Sequence, residues 1–171
     1  MSKNLIIYYS RRGENYVNGA VKELDKGNTE VVVEYIRAAV DADVFRVETV
    51  EEYPKDYYEC IQVAKTETKA GARPPLKAYL DSLEGYDSIF VCGPIWWGTY
   101  PMALFTQLEK LDWKGKKVMP LTTHAGSGLA GCERDLKKLC KGAKVAKGLA
   151  VLGAEAAASE NTVTAWAKKN V

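Results

Sequence analysis

Three short apolar runs, each emptying into a loop of small or polar residues, constrain this chain more than any other feature. They are Asn4 to Tyr9 (NLIIYY) ahead of Ser10-Arg11-Arg12-Gly13, Ser88 to Cys92 (SIFVC) ahead of Gly93-Pro94, and Lys117 to Leu121 (KVMPL) ahead of Thr122 to Gly128. Runs that are apolar at successive positions belong to strands buried on both faces. Such strands need helices above and below, and amphipathic segments lie between them. Val32, Ile36, Ala39 and Val40 share one helical face, as do Leu104, Leu108 and Leu111, then Leu129, Leu136, Leu139 and Cys140. Thr162 to Lys169 carries Val163, Trp166 and Ala167 on one stripe, and Val44 to Val47 and Val145 to Leu152 supply two further strands. Lys55 to Leu83 reads as helical but is interrupted at Arg73-Pro74-Pro75, which divides it into two helices or a helix and a loop. The expected fold class is α/β, a doubly wound five-stranded parallel sheet with right-handed crossovers.

A chain of 171 residues that is 47% hydrophobic suits one core, and no linker or repeat divides it, so residues 1–171 are expected to form a single domain. The longest apolar run falls far short of the roughly 18 residues that a membrane span needs. Met1-Ser2-Lys3 leads straight into the first strand. No export signal or membrane partner is expected, and the expected location is cytoplasmic. Cys60, Cys92, Cys132 and Cys140 show no CxxC spacing, and with a single histidine in the chain they are expected to be free thiols, not metal ligands. Five lysines lie between Lys137 and Lys147 without interleaved aromatics, which suits a solvated helix face better than a nucleic-acid surface.

In open parallel sheets, ligands sit beyond the carboxyl ends of the strands, where the winding reverses, so the three loops should converge on one edge. The first loop, Ser10-Arg11, leads on to a helix start at Gly27-Asn28-Thr29-Glu30. Free N–H groups and hydroxyls at a helix start suit a phosphate. Two registers are open for the residues between. Glu14 to Lys26 is an inserted loop, or it is a helix with Val17, Ala20, Val21 and Leu24 on one face; then Thr29 to Ile36 becomes a strand, and Gly13, Glu14 and Asn15 replace Gly27 to Thr29. The insertion is preferred, because the Val32/Ile36/Val40 period then runs directly into the strand at Val44.

The second loop, Gly93 to Pro101, places Trp96 and Trp97 between glycine and proline, where neither a regular helix nor a buried strand can hold them. A loop that exposes aromatic surface has something flat to cover, or else folds its indoles into the core beneath. Gly98, without a Cβ, can adopt positive φ and turn the adjoining peptide toward a ligand. The third loop offers Thr123, His124, Gly126, Ser127 and Gly128 as hydrogen-bonding and flexible positions. Ser127 sits in G-S-G, not in a G-x-S-x-G elbow, so hydrolase chemistry is not expected of His124.

Taken together, the YYSR…GENY…GNTE, P-x-WWGT-x-P and TTH-x-GSG loops resemble those of small bacterial flavodoxins, and the whole chain resembles the flavodoxin-like family. That resemblance implies the sheet order 2-1-3-4-5 and noncovalently bound FMN. It implies that Ser10 and Arg11, with Gly27, Asn28 and Thr29, hold the FMN phosphate, with the role of Glu14 to Tyr16 left open. Pro94, Ile95, Trp96, Trp97 and Gly98 would frame the isoalloxazine, with Trp96 or Trp97 stacked on it and the peptide near Gly98 facing flavin N5. Thr123, His124, Gly126, Ser127 and Gly128 would meet the pyrimidine side. A net charge of +2 departs from the acidic composition of many flavodoxins. The implied function is electron carriage, as a monomer, between redox partner proteins. The alternatives are an NAD(P)H-dependent quinone or flavin reductase, and a flavin-bearing docking module without turnover.

Overall fold

The computed structural model describes residues 3–171, so the Met1-Ser2 end of the lead-in lies outside the described residues. The first apolar run forms strand β1, Asn4–Tyr8, whose side chains alternate between two cores. Leu5, Ile7 and Tyr9 enter one layer with Ile89, Val91, Leu104, Leu108 and Leu136, and Ile6 and Tyr8 enter the other with Val32, Ile36, Phe90, Met119 and Val163. This two-sided burial is what an apolar run without alternation anticipates.

After β1 the chain makes an antiparallel hairpin, β2 (Gly13–Val17) and β3 (Ala20–Leu24), then helix α1 (Asn28–Val40) and strand β4 (Ala42–Arg46). Helix α2 (Tyr57–Ala70) ends at Gly71, and β5 (Ser88–Pro94) follows an irregular stretch anchored by the Thr49–Leu76 bridge. Helix α3 (Met102–Leu108), strand β6 (Lys117–His124) and helix α4 (Cys132–Leu139) come next. Short strands β7 (Lys144–Val145) and β8 (Leu149–Leu152), a 3-10 turn (Gly153–Ala158) and helix α5 (Glu160–Asn170) complete the chain. The parallel sheet runs β4-β1-β5-β6-β7, with β8 also on β6. Counted by position, this is the order 2-1-3-4-5, and the winding reverses between β1 and β5.

Three expectations are corrected and one open reading is decided. The Glu14 to Lys26 insertion is not an irregular loop but the β2–β3 hairpin, closed by Asn18 (φ 52°) and Gly19 (φ 83°) as a two-residue turn. Of the two readings of Lys55 to Leu83, the helix and loop is the one found, because Gly71 adopts a left-handed conformation and the proline pair prevents a restart. Leu129 stands ahead of α4, since Gly128 (φ 64°) and Ala130 (φ 44°) cannot continue a right-handed helix. The strand expected over Val145 to Leu152 splits in two. Val118 pairs with Val145, but Leu121 pairs with Leu149, so one extra residue bulges between them. The bulge lies opposite Pro120, which has no N–H to give the ladder. All four cysteines are buried and unpaired.

Candidate functional site

The loop after β1 and the start of α1 form a pinched neck. Ser10 Oγ accepts the Glu30 amide at 3.1 Å, and Gly27 lies so close to Ser10 and the Arg11 carbonyl that a Cβ there would collide with both. Gly27 caps α1 with no side-chain hydrogen bond, so the hydroxyl of Ser10 satisfies the first turn from outside. The Val31 amide returns to Gly27 O, which leaves the N–H groups of Asn28 and Thr29 as the remaining donors of that turn. Glu30 would oppose an anion there, but Arg12 grips both its oxygens at 3.1 and 3.0 Å and Arg46 adds a contact at 2.9 Å. The hydrogen bonds from Arg12, reinforced by Arg46, hold the Glu30 carboxyl below its ordinary range and cancel its charge locally. Arg11 serves differently: its guanidinium donates to the carbonyls of Glu14, Pro54 and Lys55 at 2.9 to 3.0 Å, tying the neck to the loop that precedes α2.

The loop after β5 resolves the two tryptophans. Trp96 is half-buried, edge-on to Tyr9 at 5.1 Å and to Tyr53 at 5.0 Å. Trp97 is 46% exposed and sits at φ 56°, followed by Gly98 at φ 86°. With the Trp96 amide donating to Thr99 O at 2.8 Å, this is a two-residue turn of the I′ kind, which demands positive φ at both central positions. A bulky aromatic residue is rare in that region and stores strain there. Thr99 Oγ1 on Asp135 Oδ2 (2.6 Å) and the Gly131 amide on Gly98 O (2.9 Å) hold the turn in place. Gly98 O is thus committed to Gly131, so the peptide left to face a ligand is the one between Trp97 and Gly98. The Trp97 indole N–H donates to Ile61 O of α2 at 2.8 Å, and Lys65 Nζ lies 5.1 Å from its ring centre.

The third loop is fastened to the other two. Ile95 N–H donates to Thr123 O, the Thr123 and Thr29 hydroxyls meet at 2.7 Å, and Thr122 Oγ1 donates to Gly128 O. His124 Nδ1 accepts the Gly126 amide at 2.9 Å, which assigns its proton to Nε2, and partial burial pushes its pKa down. His124 is therefore a neutral brace of its own loop.

These loops surround a cavity of about 510 Å³ at the carboxyl edge, where the winding reverses. Of the anticipated residues, Ser10, Arg11, Asn28, Thr29, Pro94, Ile95, Trp96, Trp97, Gly98, Thr123, His124 and Ser127 line it, whereas Gly27, Gly126 and Gly128 do not. The second wall has an α2 part that was not anticipated and a hairpin part, Glu14 to Tyr16, whose role was left open. It consists of Tyr57, Cys60, Ile61 and Ala64 from α2, with Glu14, Asn15 and Tyr16 from the hairpin. The signals were present: positions 57, 60, 61 and 64 share one helical face, and Asn18-Gly19 between apolar pairs is a strong hairpin signature. Burial raises the Cys60 thiol's pKa, which suits a neutral wall residue. A neighbouring cavity of about 530 Å³ lies between the hairpin and the end of β4, away from Trp97 and the third loop.

The flavodoxin family model matches residues 23–170. The chain belongs to the flavodoxin family. Among solved structures it is similar to a candidate flavoprotein from Bacteroides uniformis (27% identity, 98% of each chain, TM-score 0.76). It is similar to another from Bacteroides eggerthii (25% identity, 99% of this chain and 98% of that one, TM-score 0.77). A flavoprotein from Lactobacillus acidophilus, solved in complex with FMN, shares the fold at 21% identity, with 91% of this chain and 96% of that one covered and a TM-score of 0.64. No curated protein matches the chain. Within this flavodoxin fold, no helix among the described residues is long and apolar enough to cross a membrane.

Proposed function

We propose that this flavodoxin binds one FMN in the cavity at the β1/β5 switch point and carries single electrons between larger redox proteins. The observation that carries the reading is a pairing of chemistries in one cavity: a helix start with two uncommitted amides beside buried hydroxyls, and an exposed indole held by its own turn. A flat ring bearing a phosphate tail fits that donor set, and the cavity volume is of the size that holds one such ligand. Bound FMN would supply the redox chemistry.

The chain's own residues bind, orient and shield. Asn28 and Thr29 amides, aided by the Ser10 hydroxyl, would take the phosphate, while Arg12 and Arg46 neutralise Glu30 beneath it. Trp97 would cover one ring face, while Trp96 supports the turn from below. The Trp97–Gly98 peptide is placed to exchange a hydrogen bond with the ring edge.

Purified protein should be yellow with a flavin spectrum, and potentiometric titration should resolve two separate one-electron steps. NADH or NADPH oxidation with menadione should run no faster than with free FMN. Turnover well above free FMN would instead assign the reductase activity.

A further inference from the structure

The hairpin is the one substantial element that the five-strand architecture does not require. It leaves and re-enters the fold at a single point, because Ser10 and Arg11 abut Gly27. An isolated two-stranded hairpin is marginally stable in water, so its position depends on what ties it down. Three ties are present. At its base, Arg11 Nε donates to Glu14 O at 2.9 Å, and Asn15 Nδ2 donates to Arg11 O at 2.9 Å. Further out, the Glu14 carboxylate accepts the amide of Tyr57, the first residue of α2, at 3.0 Å. Beyond that, the Tyr16 ring meets the Tyr57 ring edge-on, with centres 5.9 Å apart.

The Glu14 contact is a capping interaction delivered from another element. Asp56 already caps Glu59 at the same helix end, so two carboxylates face the positive end of the α2 dipole. Glu14, Tyr16 and Tyr57 all line the cavity that Trp97 and the α1 start also line. We propose that the β2–β3 hairpin is a clasp, latched to α2 through Glu14 and Tyr16, that closes the cavity over its occupant and sets how fast the occupant leaves. The inference rests on the FMN reading for the identity of the occupant. With the latch open, the hairpin keeps only its base contacts, and the cavity loses three side chains of one wall.

FMN dissociation, followed by recovery of flavin fluorescence when the loaded protein is rapidly diluted far below its dissociation constant, tests this. Glu14→Ala and Tyr16→Ala should each raise the dissociation rate about tenfold, the scale of one lost charge-assisted hydrogen bond or aromatic contact. Glu14→Gln and Tyr16→Phe should restore most of the wild-type rate. Lys22→Ala, on the exposed strand of the hairpin, should change nothing. In the flavin-free protein, amides of the hairpin should exchange faster in Glu14→Ala by more than the small drop in thermal midpoint from the lost α2 cap contact accounts for. If wild type binds FMN and the alanine variants release it at the wild-type rate, the clasp is wrong and the cofactor reading stands. If wild type binds no FMN, both are overturned.

Discussion

Trp97 combines two properties that usually exclude each other, a bulky side chain and a left-handed backbone. The turn gains an exposed indole at the cavity at the cost of about 1–2 kcal/mol for positive φ. Trp97→Ala should weaken FMN binding by about 1–3 kcal/mol, the range for aromatic stacking on a flat base, as read by fluorescence titration. Trp97→Gly should bind equally poorly, yet unfold at a higher urea concentration than the alanine variant, because glycine removes the strain. His124 gives a pH test. Burial lowers its pKa below the ordinary 6.5, so its contribution is complete above that value and is lost as the pH falls through the lowered one. Protonated imidazole cannot accept the Gly126 amide. Between pH 7 and 5, FMN affinity should fall more steeply in wild type than in His124→Asn, and comparing the two cancels the titration of the phosphate itself.

At the level of elements, the start of α1 shows how helix, hydroxyl and ion pairs are built into one receptor. Glu30 is held ionised by Arg12 and Arg46, so its contribution is present above the ordinary carboxylate range and is lost on acidification through the lowered pKa. Glu30→Gln should cost about 1–3 kcal/mol at pH 7 by urea denaturation. The gap between variant and wild type should narrow toward pH 3. The same neck shows where sequence reasoning reached and where it stopped. Val32, Ile36 and Val40 marked α1 against the alternative of a strand, because their spacing is a property of the helix alone. Glu14 to Lys26 was harder: Val17, Ala20, Val21 and Leu24 satisfy a helical face as readily as two short strands, and only the Asn18-Gly19 turn discriminates. The break between β7 and β8 was signalled by Pro120, but the proline sits in β6, and its effect falls on a partner strand that no local pattern connects to it.

Across the whole molecule, a doubly wound parallel sheet was legible because its central strands are apolar on both faces, whereas the order of its strands came only with the resemblance of the three loops to flavodoxins. The first wall of the cavity was legible for the same reason: its loops follow directly from those strands. The α2 part of the second wall was not, and Glu14 to Tyr16 stayed an open reading, because α2 and the hairpin reach the cavity through tertiary contacts, Glu14 with Tyr57 and Trp97 with Ile61, that join residues 36 to 43 positions apart. The lysines from Lys137 to Lys147 are all exposed, but they divide between the end of α4, the edge strand β7 and the turns beside them instead of forming one helix face. On an open sheet edge, lysines hinder edge-to-edge pairing with another copy.

The pinched neck also bears on how the chain folds. Bringing Ser10 against Gly27 closes a loop whose entropic cost rises with its length, and β1 cannot present a finished receptor to α1 until that closure is made. A hairpin nucleated at Asn18-Gly19 forms within about 1–10 μs and draws the ends of the loop together before the parallel strands pair. Gly19→Val should therefore slow refolding more than it speeds unfolding in stopped-flow measurements, which would place the hairpin in the folding nucleus.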